Sequence, residues 1–164
     1  MEDFNALLGR FVRVVESNDG GGLAALFTED GVYDDGFFGE YQGRDAIVAM
    51  LGHFYEGGRD YRWEFIDPLS DGEIGYARYR FSYASTLPES LDKPVVFEGM
   101  SCFKIRDGKI ARYSEMFDRG MALAQLDFAA ERIKRVLVKL AAKQNAAPEC
   151  EAHLRRLGGA AASG

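Results

Sequence analysis

Two short runs of this chain carry the side chains best suited to moving protons. In Gly31-Val32-Tyr33-Asp34-Asp35-Gly36, Tyr33 and Asp35 share a face if the run is a strand, because alternate strand residues point the same way. In Tyr113-Ser114-Glu115-Met116-Phe117, Tyr113, Glu115 and Phe117 share a face by the same rule. Turned inward, Glu115 becomes a carboxylate among aromatic rings. Burial disfavours its charged form and raises its pKa, which suits an acid or base working near neutrality. Asp35 is the second candidate base, and Asp34 falls on the opposite, solvated side. Both assignments have a plainer counterpart. Asp35 could serve loop backbone donors, Glu115 could be the buried partner of an arginine, and Tyr33 could be a core residue.

The candidate cations lie in Tyr76-Ala77-Arg78-Tyr79-Arg80-Phe81-Ser82-Tyr83. In one phase Tyr76, Arg78, Arg80 and Ser82 face the interior. In the other Tyr79, Phe81 and Tyr83 do. We expect the arginine-inward phase, which leaves the aromatic stripe for a dimer interface or for helix packing. An inward guanidinium would stabilise a developing enolate or alkoxide, or hold a substrate carboxylate bidentately. A neighbouring strand places Phe97, Gly99, Ser101 and Phe103 on one face. The expected ligand lining is therefore Tyr76, Arg80, Phe97, Ser101, Phe103, Tyr113 and Phe117, with Phe11 and His53 added from the helices. His53 reads as a surface or pocket-mouth residue, or as a proton shuttle. Trp63 reads as core. Cys102 points away from Ser101 and has no nearby base to activate it.

These side chains need a framework. Phe4, Leu7, Leu8, Phe11, Val14 and Val15 recur at helical spacing, and Asn18 to Gly22 stops that helix. Leu23 to Phe27 reads as a short second helix, a loop after Asp35 reaches Gly43, and Asp45 to Tyr55 reads as a third helix. The period then changes to two through residues 61–66, 73–84, 95–105 and 109–118. Asp107-Gly108 between Ile105 and Ile110 predicts a tight hairpin, because both turn positions need positive φ. Residues 119–142 read as one long amphipathic helix with Leu123, Leu126, Ala130, Ile133, Val136, Leu137 and Leu140 along one stripe. It is expected to pack on the domain or on a partner subunit. Residues 143–164 read as a flexible tail with at most a helical turn. The expected division is an α+β domain at 1–118, the helix at 119–142 and the tail at 143–164.

The chain has 164 residues and is 47% hydrophobic, enough for one domain with a true core. Its net charge is −6 and no basic cluster stands out, which argues against nucleic acid and anionic membranes. No apolar run is long enough to span a bilayer. Acidic residues occupy the N-terminal positions where a secretory signal needs basic ones. Two cysteines make no disulfide framework and fit a cytoplasmic protein. With two histidines, a histidine-rich metal site is not expected, and neither is a cofactor.

The order of these segments resembles the SnoaL-like branch of the nuclear transport factor 2 superfamily. LFTEDGVYDDGFFGEYQGRDAIVAML at 26–51 and RDGKIARYSEMFD at 106–118 carry the resemblance, which spans roughly residues 5–118. It implies a cone-shaped, mostly antiparallel mixed sheet curved around helices, with one concave pocket and a homodimer. Relatives include limonene epoxide hydrolase, ketosteroid isomerase, scytalone dehydratase and polyketide cyclases. The epoxide hydrolase pattern puts a water-activating acid at Glu115, an arginine at Arg78, and water-holding groups at Tyr33 and Asp35. Its proton-donating aspartate falls at Arg80, which cannot donate a proton at neutral pH. The isomerase pattern puts its base at Asp35 and its oxyanion donors at Phe11 and Ser101, so the base is present and those donors are not. The resemblance thus implies a small cofactor-free acid–base enzyme acting on an apolar or carboxylate-bearing organic molecule. Asp35, Glu115, Arg78 and Tyr33 would be its catalytic groups. A binding or dimerisation module of the same fold, and an adaptor using the C-terminal helix, are the other readings.

Overall fold

A computed structural model describes residues 3–161, with side chains to residue 158. Among the described residues the chain divides into two compact units, ending and beginning at Asp127 and Phe128.

The first unit opens with α1 (Phe4–Glu16). Asp3 caps it by accepting from the backbone N–H of Asn5. Its apolar stripe buries Leu7, Leu8, Phe11 and Val15, each worth roughly 1.5–3 kcal/mol on leaving water. A second cap at Asp19 starts the short α2 (Gly20–Ala25). The chain then runs into β1 (Phe27–Asp35), turns into β2 (Gly39–Gln42) and continues as α3 (Arg44–Glu56). β3 (Gly58–Ser70), β4 (Ile74–Ser85), β5 (Pro94–Arg106) and β6 (Lys109–Phe117) form an antiparallel meander. The six strands make one curved, open sheet in the order β2-β1-β6-β5-β4-β3. β1 pairs parallel with β6, so the first and last strands lie side by side, one place in from the β2 edge. α1 lies against β3 and α2 against α3. The short α4 (Arg119–Ala124) closes this unit with buried Ala122 and Leu123, and Leu126 is buried just beyond it.

The α+β class, the strand-rich middle and the Asp107-Gly108 turn agree with the expectation. Asp107 has φ 53° and Gly108 φ 72°, as a tight two-residue turn requires. Three local expectations change. Leu26 and Phe27 do not end a helix, because α2 stops at Ala25 and Phe27 begins β1. The stretch before Gly43 is not wholly loop, since four residues pair as β2. The segment 119–142 is not one helix. It breaks between α4 and α5 (Ala130–Asn145), where Asp127 takes φ 55° and Ala129 is extended.

In the second unit α5 is followed by α6 (Pro148–Ala161). The tail expected at 143–164 is therefore largely helical, and residues 162–164 lie outside the described residues. No residue of α5 is buried. No helix among the described residues is long and apolar enough to cross a membrane.

The phase of β4 is the main correction. Ala77, Tyr79 and Phe81 are buried and Tyr83 is half-buried, while Tyr76, Arg78 and Arg80 are exposed. The register explains it. Ala77 lies opposite Ser101, Tyr79 opposite Gly99 and Phe81 opposite Phe97, and directly opposed residues share a face. Outside, Arg80 bonds Glu98 and Glu64, and Arg78 bonds Asp67. Inward, the two guanidiniums would lose water and these partners, whereas the aromatic rings gain by burial. The stripe expected at a dimer interface or against a helix therefore lies on the core face of the sheet.

Candidate functional site

The concave face of the sheet carries a dense aromatic cluster. Phe11 from α1 sits at its centre, fully buried, with ring centroids 5.4 Å from Trp63, 5.3 Å from Tyr113 and 5.9 Å from Phe103. Towards the far end of β6 the lining turns polar. Asp35, Tyr33, Tyr79, Ser101, Tyr113 and Glu115 meet there, and Phe97, Phe117 and Phe37 border them.

Asp35 ends β1 and is buried. One of its carboxylate oxygens accepts from the backbone N–H of Phe37 at 2.8 Å and of Phe38 at 2.9 Å, an Asx-type turn. Burial raises its pKa, and those two hydrogen bonds pull against the rise. The turn it builds is tied to β6 from two sides. Gly36 N–H donates to Glu115 Oε1 at 3.2 Å, and Arg119 Nε donates to the Gly36 carbonyl. Gly36 is required by close approach, since a Cβ there would lie 2.3 Å from Phe117 Cε1.

Glu115 is half-buried in β6. Its Oε2 accepts from Tyr113 Oη at 2.9 Å, and Tyr113 Oη is in turn 3.0 Å from Ser101 Oγ. Burial, and then the negative charge of Asp35, push its pKa up to about 7. Burial, followed by the charge of Glu115, also raises the pKa of Tyr33, Tyr79 and Tyr113, so all three stay neutral phenols. Tyr79 Oη is buried beside Glu115, close enough for the two groups to act on each other. Gly99 gives that ring its room, because a Cβ there would lie 2.5 Å from Tyr79 Cζ.

Of the residues nominated from sequence, the structure brings together Asp35, Glu115, Tyr33, Tyr113, Ser101, Phe97 and Phe117. Phe11 and Phe103 stand deeper in the aromatic cluster and are fully buried. Arg78, Arg80 and Tyr76 are not part of this face. Each is exposed on the outer side, as the register of β4 demands. His53 is exposed on α3, with Nδ1 3.0 Å from Glu56 Oε2 and its ring 5.1 Å from that of Phe38. Asp34 points outward as expected and pairs with Arg112 at 2.8 Å. Two groups were missed: Tyr79 is expected at an interface or against a helix, and Arg119 is not singled out, whereas Trp63 is core as expected. The charge of Arg119 acts on both Asp35 and Tyr79.

A SnoaL-like domain model matches residues 8–113, and the chain belongs to that family. No curated protein matches it. Solved structures share the fold at low identity. One is a Catenulispora acidiphila protein of ketosteroid isomerase-like fold, in complex with trimethylamine. It is 16% identical, with a TM-score of 0.69 over 76% of this chain and 95% of that one. A proposed polyketide cyclase from Xanthomonas campestris is 22% identical, with a TM-score of 0.63 over 74% and 95%. An LEH-like epoxide hydrolase from M. tuberculosis is 17% identical, with a TM-score of 0.61 over 84% and 94%.

Proposed function

We propose that the chain is an acid–base enzyme acting on a small organic molecule at the Asp35–Glu115 end of the concave face, without a cofactor. The observation that carries this reading is Glu115. Its pKa of about 7 makes both protonation states abundant near neutrality, so one group can take a proton and return it. Asp35 raises that pKa by its charge and stays fixed by two backbone donors. Tyr113, itself within reach of Ser101, orients the carboxyl. With Arg78 and Arg80 outside, developing negative charge would be met by the Tyr79 hydroxyl and by Arg119 near the turn. Isomerisation, dehydration, hydrolysis and cyclisation all use such a shuttle. The hydrolase and cyclase descriptions of the structural neighbours fit this group of reactions.

The second reading is a non-catalytic binding module. It is favoured by the bond from Gly36 N–H to Glu115, which gives the carboxyl a purely structural task. Turnover decides between them. Glu115→Gln and Asp35→Asn would be compared with the parent chain on conjugated ketones, epoxides and polyketide lactones. The enzyme reading expects kcat/KM to fall at least about a hundredfold in Glu115→Gln while the fold persists. Unchanged turnover in both variants would sink it, and ligand binding without turnover would favour the module. A homodimer remains a proposal, resting on the outer sheet face, where Tyr76, Met100 and Met116 are exposed. Light scattering in solution tests it directly.

A further inference from the structure

The unit that follows Asp127 is built from two helices whose apolar surface is poorly covered. No described side chain of α5 or α6 is buried. Helices of 16 and 14 residues are marginal in water by themselves, and a unit this small has no core to hold them. At 3.6 residues per turn, Val136, Leu140, Ile133, Leu137, Ala130 and Ala141 fall within an arc of about 140° on α5. Ile133, Val136 and Leu140 are half-buried, while Leu137 and Val138 are exposed. Leu137, Val138 and Ala141 line an open groove of about 490 Å³ beside Lys134. Leu154 and Leu157 of α6 are exposed too.

Charge narrows what can cover this surface. α5 carries Arg132, Lys134, Arg135, Lys139 and Lys143 against one acid, Glu131. The whole-chain balance of −6 hides this cluster, because most acids lie in the first unit. Lys134 stands at one border of the apolar arc and Lys143 at the other, with Lys139 and Arg135 on the polar face. In the first unit Arg59, Arg78, Arg80, Arg106 and Arg112 each hold an acid. Among the described residues no acid pairs with Lys134, Arg135, Lys139 or Lys143.

A second copy of α5 would set like charges together. The acids on the outer sheet face of a second copy, Glu64, Glu98 and Asp67, are already held by Arg80 and Arg78. A bilayer with anionic headgroups meets both features at once. Its apolar layer takes the exposed arc, and long cationic side chains reach back to the headgroups.

We infer that the helical unit docks on an anionic lipid surface through the apolar arc of α5, with Lys134 and Lys143 at its borders meeting the headgroups. This does not depend on the catalytic reading of the concave face.

The full-length protein would be sedimented with vesicles of phosphatidylcholine alone, and with vesicles in which about one-third is phosphatidylglycerol. Binding to the anionic vesicles should be roughly tenfold tighter or more, and should weaken as added salt screens the surface. Lys134→Gln with Lys143→Gln should weaken it roughly tenfold, and Leu137→Gln with Val138→Gln should abolish it. All four side chains are exposed and glutamine is a good helix former, so circular dichroism should show the helices retained. Equal affinity for the two kinds of vesicle, or unchanged affinity in either double variant, overturns the inference. Absence of binding at millimolar lipid overturns it as well. If Leu137→Gln with Val138→Gln then turns a dimer into a monomer by light scattering, the face belongs to a second copy.

Discussion

Glu115 is held where its charge is unwelcome, and that has a cost that depends on pH. Its pKa is raised from 4.5 to about 7 in the folded chain. Between those values the folded state holds a proton that the unfolded state has released. Stability is therefore fully present below about pH 4.5 and declines as pH rises through 7, as far as this one group is concerned. The upper bound on that decline is about 3 kcal/mol, at 1.36 kcal/mol per unit. Glu115→Gln should flatten the slope, so denaturant midpoints measured from pH 5 to 8 should converge at low pH and favour the variant at high pH. A parallel slope in both proteins would mean that Glu115 titrates normally. The carboxyls themselves were legible in the sequence, because Tyr33/Asp35 and Tyr113/Glu115/Phe117 alternate and need no distant information. Arg119 was not legible, because its bond to the Gly36 carbonyl joins residues 83 apart in the chain. Nor was the place of the Tyr79 hydroxyl beside Glu115, which depends on the register of β4 against β5.

At the scale of elements, β4 teaches most. Its sequence alternates arginines with aromatic rings, so period alone allows both faces inward. Register removes the choice. Phe81 opposes Phe97 and Ala77 opposes Ser101, so a strand with Phe97 and Ser101 inward cannot also turn Arg78 inward. That pairing depends on how the loop between β4 and β5 closes, where Ser85 and Ser90 bond each other at 2.9 Å. The first and third helices, the meander and the Asp107-Gly108 turn were readable because each rests on local spacing, whereas the break at Asp127 and α6 were not. β2 was missed because four residues give too short a pattern to count. The Asp35–Phe38 turn yields an element-scale prediction. Gly36→Ala would press a methyl into the Phe117 ring and should cost roughly 1–3 kcal/mol of unfolding free energy. It should also loosen the Gly36 bond to Glu115, visible as a changed Glu115 titration by carboxyl carbon NMR. An unchanged unfolding curve would mean that the turn is slack.

For the whole molecule, the boundary between the units matters more than the expected boundary at Asp118. Ala122, Leu123 and Leu126 are buried within the first unit, so a chain ending at Asp118 loses core. A chain ending at Asp127 keeps it. The shorter cut should lower the melting midpoint by several degrees or more, at roughly 2–8 °C per kcal/mol for domains from about 60 to 250 residues. The cut at Asp127 should unfold in a single cooperative step close to the parent. If it instead melts early, the second unit supports the first. The second unit also has its own charge character. Counted from the sequence, residues 128–164 hold seven Lys/Arg and three Asp/Glu, a net +4, against −10 for residues 1–127.

β1 and β6 lie side by side and parallel although their sequences are far apart; Gly36 and Glu115 are separated by 79 positions. Such a contact closes late, because the chain must first give up the freedom of a long loop. Asp35 and Glu115 therefore cannot meet while the chain is still being made short of β6. During synthesis the meander of β3 to β5 can assemble with its centre uncovered, and the two acids become neighbours only when the last strand slots in beside the first. The site is therefore predicted to be completed late, so that a refolding experiment should recover sheet signal before it recovers the raised titration of Glu115.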